Sequence, residues 1–359
     1  MTGTGGAQDD ARETLERIEE QLLGRPASMG RREVSSAAEV STHSARRFWH
    51  AMGFQVVEDE ETMFTEADLD ALVRVSRIVR ERDLDEDLAL AMTRAFARTA
   101  DRLAVWQTQL FAEYVTPDEL EAPVSESDAR SVESTEVAVE AAHRLTDLAD
   151  ELEPLLVYVW RRHLANAIAR MLADATPPQD AETSAPHRVV GFADLVSFTS
   201  LVRRMTERQL ATLVQRFEHL ASDVITTHGG RVIKMVGDEV LFVHAEPAPA
   251  AAIALDLVAA MAEDDLLPEV RVGMAYGPVV SRLGDVFGTT VNRASRLTAV
   301  TPPGKVHVDD RLARLLGAVS GFRATAQRRR TLRGIGVVTP SELQRTGRGR
   351  GSEPLDRHT

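Results

Sequence analysis

Between Thr206 and His228 the apolar residues Leu210, Leu213, Val214, Phe217, Leu220, Ala221, Val224 and Ile225 recur at spacings of 3 and 4, which predicts an amphipathic helix stopped by His228-Gly229-Gly230. Just upstream, Val189, Val190 and Phe192 form a short apolar run that reads as a buried strand ending at Asp194. Downstream, RVIKMV and EVLFVH flank Gly237-Asp238, the pattern of an antiparallel hairpin. Alanine-rich residues 248–263 predict a second helix and VRVGMAYGPVV (270–280) a further strand. A helix over TVNRASRLTAV (290–300) then follows the glycine-rich turn GDVFGT. The order strand, helix, hairpin, helix, strand implies an α+β sandwich of the ferredoxin-like kind over residues 188–345.

Residues 1–174 read as wholly helical. SSAAEV and HSARRFWHAMG predict two short helices around a turn, and FTEADLDAL a capped helix start, within a helix-turn-helix subregion at 31–75. Helical periodicity continues over 66–115, with Leu69, Leu72, Val73, Ile78, Val79, Leu88, Met92, Phe96, Leu103 and Trp106 as the expected core. Connecting helices are expected over 127–173, where Leu145, Leu148, Leu152, Leu155 and Val159 keep the spacing of a coiled-coil seam. Pro154 inside that seam should kink or divide it.

Composition separates the halves. Residues 175–187, ATPPQDAETSAPH, form a linker, and 346–359 a flexible tail. The net charge of −13 splits into −17 over residues 1–180 (36 Asp/Glu, 19 Lys/Arg) and +4 over 181–359 (19 and 23). An acidic first half argues against nucleic acid as a partner, while the second tolerates a polyanion such as a nucleotide. There is no cysteine, which excludes disulfides and thiolate sites and fits a cytoplasmic protein. No apolar run approaches the roughly 20 residues that span a bilayer.

Lysine carries a sharper signal. Of 42 Lys plus Arg only Lys234 and Lys305 are lysine, and Lys234 lies inside a strand. A compact ammonium on a flexible stem is wanted there rather than a planar fork. Asp238, on the hairpin turn, and Asp194, at the end of a neighbouring strand, suit a hard cation such as Mg²⁺; each also suits a plain turn or helix cap.

FADLVSFT, KMVGDEVLF and GDVFGTTVNRASRL, in this order and spacing, resemble the catalytic domain of class III nucleotide cyclases, over residues 187–340. The resemblance implies conversion of ATP to 3′,5′-cyclic AMP and pyrophosphate with two Mg²⁺ or Mn²⁺ ions per site. It makes Asp194 and Asp238 metal ligands, assisted by the carbonyl of Leu195, and Lys234 and Asp285 the readers of adenine. Asn292 would position the ribose and Arg296 neutralise phosphate charge; the two lie four apart on one helical face. Arg333 stands where the family commonly has a phosphate-binding lysine. The site is expected between two chains of a homodimer, with Asp194, Asp238 and Lys234 from one and Asp285, Asn292 and Arg296 from the other.

Other resemblances concern the first half. Residues 31–64 are similar to the helix-turn-helix of MerR-type regulators, with Arg46 and Arg47 on the second helix, opposed by the acidic stretch Glu58 to Glu61. The helical half as a whole resembles the regulatory domain of soluble actinobacterial cyclases, some of which are inhibited at neutral pH. His143 and His163 are then the candidate proton sensors. The apolar face of 155–171 suits helix packing, a membrane surface or a lipid.

PPGKV lacks the P-loop spacing, and VGDEV has Val236 where the diguanylate cyclase signature has glycine. Two rival functions stand beside an adenylate cyclase. One is a DNA-binding regulator with a cyclase-like nucleotide sensor; the other is a guanylate cyclase, opposed by the Lys234 and Asp285 pair.

Overall fold

The computed structural model describes residues 4–54, 63–115, 127–175 and 186–346, so most of the linker, the tail from 347 and the acidic stretch Glu58 to Glu61 lie outside it. The chain divides into two compact units, Met1–Arg170 and Met171–Thr359.

The first unit is built of helices α1 (Thr4–Leu23), α2 (Arg31–Ala37), α3 (Thr42–Met52), α4 (Glu66–Arg82), α5 (Glu86–Val115), α6 (Ser127–Asp147) and α7 (Ala149–Asp174), the last running past the boundary. Ser41 caps α3 by accepting from the Ser44 N–H, and Gly53 closes it with φ of 88°. Thr65 and Asp68 form a capping box that starts α4. Val34, Phe48, Trp49, Phe64 and Leu72 make the core, with Trp49 stacked on Phe64 at 4.8 Å between ring centroids.

Two expectations fail here. Of the expected core over 66–115 only Leu72 is buried, while Ile78, Leu88, Met92, Phe96 and Trp106 are exposed. The small core draws mainly on α2 to α4, with Leu90 from α5. The second concerns Pro154, expected to kink or divide its helix: α7 runs on through it undivided, and the chain breaks at Leu148, between α6 and α7. The seam residues Leu148, Leu155 and Val159 are exposed, and no described residue of α7 is buried. On α3, Arg47 is engaged by Glu86 at 3.1 Å and by Asp87, which takes one of the expected DNA-facing cations.

The second unit opens with β1 (His187–Leu195), α8 (Phe198–Val202), α9 (Glu207–Thr227), β2 (Arg231–Val236), β3 (Glu239–His244), α10 (Pro247–Ala262) and β4 (Val270–Pro278). Strands β2, β3, β1 and β4 lie side by side in that order, all antiparallel, which is the ferredoxin-like arrangement. A short hairpin β5 (Val280–Arg282) and β6 (Asp285–Phe287) follows, so the segment expected as a turn is half strand. Next come α11 (Thr289–Val300), β7 (Val306–Val308), α12 (Asp310–Gly317), β8 (Phe322–Ala326), β9 (Arg330–Leu332), β10 (Gly336–Val338) and β11 (Ser341–Arg345). β7, β11 and β8 extend the sheet beyond β4 to seven strands, with β7 parallel to β4.

Strand alternation gives the sheet two dry faces. Val189, Phe242, Val272 and Met274 meet Phe217 of α9 and Leu257 of α10 in one core. Val190, Phe192, Leu241 and Ala275 meet Ala294 of α11 and Val286 of β6 on the other. α11 lies so close to β4 that a Cβ on Gly273 would come within 2.2 Å of the Thr298 backbone nitrogen. Among the described residues no helix is long and apolar enough to cross a membrane.

Candidate active site

β1 and β3 pair from Val189 with His244 down to Asp194 with Glu239, so β1 ends beside the β2–β3 turn. That turn is Gly237-Asp238; Gly237 takes φ of 60°, which a two-residue hairpin demands at its first position and which suits glycine. The Leu195 N–H donates to the Asp238 carbonyl at 3.0 Å, tying the two strand ends together. Asp194 and Asp238 thereby share one corner, with Leu195 buried directly behind Asp194. Burial, and then the charge of Asp194, raise the Asp238 carboxyl above its ordinary value. Glu239 is pushed up to about 7 by burial first and by Asp194 and Asp238 next.

Arg271 and Lys234 both offset this crowding of negative charge at Glu239. Arg271, on β4 opposite Asp194, donates through Nε at 2.7 Å and Nη2 at 2.6 Å to Asp194 Oδ2. Sequence reasoning passed over both Arg271 and Glu239. The signal that picked out Lys234, a charge inside an otherwise apolar strand, also marks Arg271 in VRVGMAYG.

Lys234 owes its direction to a β-bulge. Val232 pairs with Phe242, but Lys234 pairs with Leu241, leaving Ile233 as an extra residue. Val232 and Met235 pack on the helix-layer core that contains Phe242, whereas Ile233 packs with Leu241 on the opposite face. The bulge therefore sends Lys234 to the same face as Ile233, away from α9 and α10 and toward β6. There its Nζ donates to Asp285 Oδ2 at 2.6 Å, and this bond holds the Asp285 carboxyl below its ordinary value. Asp285 Oδ1 is fixed in turn by the Val286 N–H at 2.8 Å.

The pairing corrects one expectation. Lys234 and Asp285, expected on opposite halves of a two-chain site, meet within a single chain. Asn292 and Arg296 are exposed on one face of α11, and Arg333 is exposed on the turn between β9 and β10. Among the described residues, no hydrogen bond or ion pair joins these three to the acidic corner. His143, half-buried on α6, and His163, exposed on α7, belong to the helical unit.

The adenylate and guanylate cyclase catalytic domain matches residues 183–343. An adenylate cyclase of Glutamicibacter nicotianae is 40% identical over 95% of this chain and 84% of its own. Another, from Streptomyces coelicolor, is 39% identical over 93% and 91%. The chain belongs to the class III adenylate cyclases. A Mycobacterium tuberculosis relative named as a pH-sensitive adenylate cyclase is 31% identical over 85% of this cyclase and 75% of its own chain.

Enzymes of this class act on nucleotides and use divalent metal ions, and the acidic corner of this cyclase fits such an ion. Burial and the nearby charge of Asp194 raise the Asp238 carboxyl, an excess of charge that a bound cation relieves. Among the described residues no cluster of three or more acidic or histidine side chains is arranged to hold a metal unaided. Two carboxylates leave coordination positions for phosphate oxygens and water, as Mg²⁺ prefers.

Proposed function

We propose that this cyclase converts ATP to 3′,5′-cyclic AMP and pyrophosphate at sites shared by two copies of the chain. The observation that carries the choice of adenine is the Lys234 and Asp285 pair. The ammonium donates to adenine N1 and the carboxylate accepts from the exocyclic amine. Guanine offers the reverse pattern and would face donor with donor.

One chain supplies Asp194, Asp238 and the Leu195 carbonyl; the other supplies Lys234, Asp285, Asn292 and Arg296. Two divalent ions, Mg²⁺ or Mn²⁺, held by those aspartates, would lower the pKa of the ribose 3′-hydroxyl and offset phosphate charge. The 3′-oxygen attacks the α-phosphorus in line with departing pyrophosphate. Asn292 orients the ribose, Arg296 stabilises charge developing on the phosphate, and Arg333 binds the polyphosphate. Arg271, once Asp194 turns to a cation, offers its guanidinium to a phosphate oxygen.

A regulatory role for the helical unit draws on the relative named as pH-sensitive, with His143 and His163 as the proton-binding groups. The test is cyclic AMP formation from ATP by the full chain with Mn²⁺, at about pH 6 and about pH 8, on either side of the histidine range. Faster turnover in acid that is lost in His143→Gln or His163→Gln supports both parts. Equal rates keep the cyclase and remove the proton switch. A preference for GTP overturns the base assignment.

A further inference from the structure

The least satisfied element of the molecule is α7. Leu155 to Trp160, LLVYVW, place apolar side chains around the whole helix circumference, yet every one of them is exposed, Tyr158 by 64% and Leu155 by 55%. A helix apolar all round is stable only when covered. Leu152, Leu156 and Val159 line a cavity within the helical unit, which fixes the inward side. At 100° per residue, Asp150, Val157 and Arg161 then point outward, and Glu151, Tyr158 and Arg162 form the adjoining flank.

The charges on that outer side decide the occupant. Asp150 and Arg161 are eleven residues apart, as are Glu151 and Arg162, so each acid sits about three turns from a base on the same stripe. Among the described residues none of the four makes an ion pair. Their midpoint falls at residue 156, inside the apolar stretch. We propose that α7 binds α7 of a second copy, antiparallel, with the two-fold axis crossing near Leu156 and Val157. The arrangement is self-complementary: Asp150 and Glu151 of each copy meet Arg161 and Arg162 of the other, across a centre made by Val157 and Tyr158. A parallel pair would set acid against acid and base against base. An anionic membrane would repel the acidic end of the same stripe. The choice of a second copy rests on the two-chain site proposed above.

The chain has no cysteine, so introduced thiols report alone. Asp150→Cys and Arg161→Cys full-length chains, co-expressed and treated with a short bis-maleimide, should give several-fold more cross-linked dimer than either variant alone. Equal cross-linking by each variant alone would mean a parallel pair and overturn the proposal. Val157→Cys should cross-link by itself. Adding Asp150→Arg and Glu151→Arg should lower that yield several-fold, and co-expression with an Arg161→Glu, Arg162→Glu chain that also carries Val157→Cys should restore it. Yields indifferent to these reversals overturn the charge register. No cross-link in any sample, with the chain sedimenting on phosphatidylserine vesicles, hands the face to a membrane. Cross-linking is read without turnover, so failure of the composite active site would be seen separately.

Discussion

At the scale of single residues, two charges inside apolar strands mark the site, each paired with an acid. Lys234 and Arg271 are retained by their acidic partners, Asp285 and Asp194. Lys234→Glu removes a charge-assisted donor and sets two carboxylates together. The expected loss in kcat/KM for ATP is about ten- to a hundredfold, from roughly 1.5–3 kcal/mol per charged hydrogen bond, measured as cyclic AMP formed. Asp238→Ala takes away one of the two carboxylates proposed to hold the metal and should cost more than the roughly 10–100-fold typical of residues that merely support ligands. Near-normal turnover in that variant would end the metal assignment. Lys234 stood out in the sequence as a charge inside an apolar strand, whereas Asp194 and Asp238 also suited a plain turn or cap, and Asp285, Asn292 and Arg296 were expected only from the resemblance of their motifs. The identity of the Lys234 partner was not legible, since pairing across 51 positions depends on the fold.

Among the elements, α11 and its neighbours govern precision. The helix approaches β4 over Gly273, and Gly273→Ala should drive it away from the sheet, costing about 1–3 kcal/mol in thermal or urea unfolding and lowering turnover through Asn292 and Arg296. β7 holds a different tension. His307 is buried with an unpartnered Nδ1, and burial lowers its pKa, with Glu342 opposing and Arg330 reinforcing the shift. Its folded pKa lies below the unfolded value of 6.5, so the unfolded chain takes up the proton first as pH falls. Stability is therefore full above the unfolded value and is lost below it. Glu239, with a raised pKa, acts in the opposite direction. The difference isolates His307: His307→Gln should lose less Tm than the parent between about pH 7.5 and about pH 5. Helices and central strands were readable from their periodicity. The short β5–β6 and β9–β10 hairpins were not, because three-residue strands carry no measurable alternation.

For the whole molecule the decisive test is of the proposal that two copies share a site. With Lys234 beside Asp285, Lys234→Glu chains mixed with Asp238→Ala chains should recover activity, since one composite site keeps every residue. Lys234→Glu mixed with Asn292→Ala should recover none, because both lesions fall on the same half. The reverse outcome would return Lys234 to the metal half. Mixed dimers verified by tag pull-down and cyclic AMP assays give the answer. Sequence alone could not make this division, because a resemblance names residues without saying which of them touch inside one chain. Nor could it show α7 uncovered: spacing reveals an apolar face but never what lies on it.

The bulge at Ile233 has a consequence for inheritance. Selectivity between purines is usually sought in substitutions, yet the proposed base-reading pair also depends on the number of residues between Lys234 and the hairpin turn. Deleting the codon for Ile233 would remove the bulge yet leave Lys234 opposite Leu241, whereas deleting that for Met235, between Lys234 and the turn, would set Lys234 opposite Val240 and swing it toward α9 and α10. A lineage could lose the Lys234 and Asp285 pair by a three-base deletion that leaves both residues in the sequence.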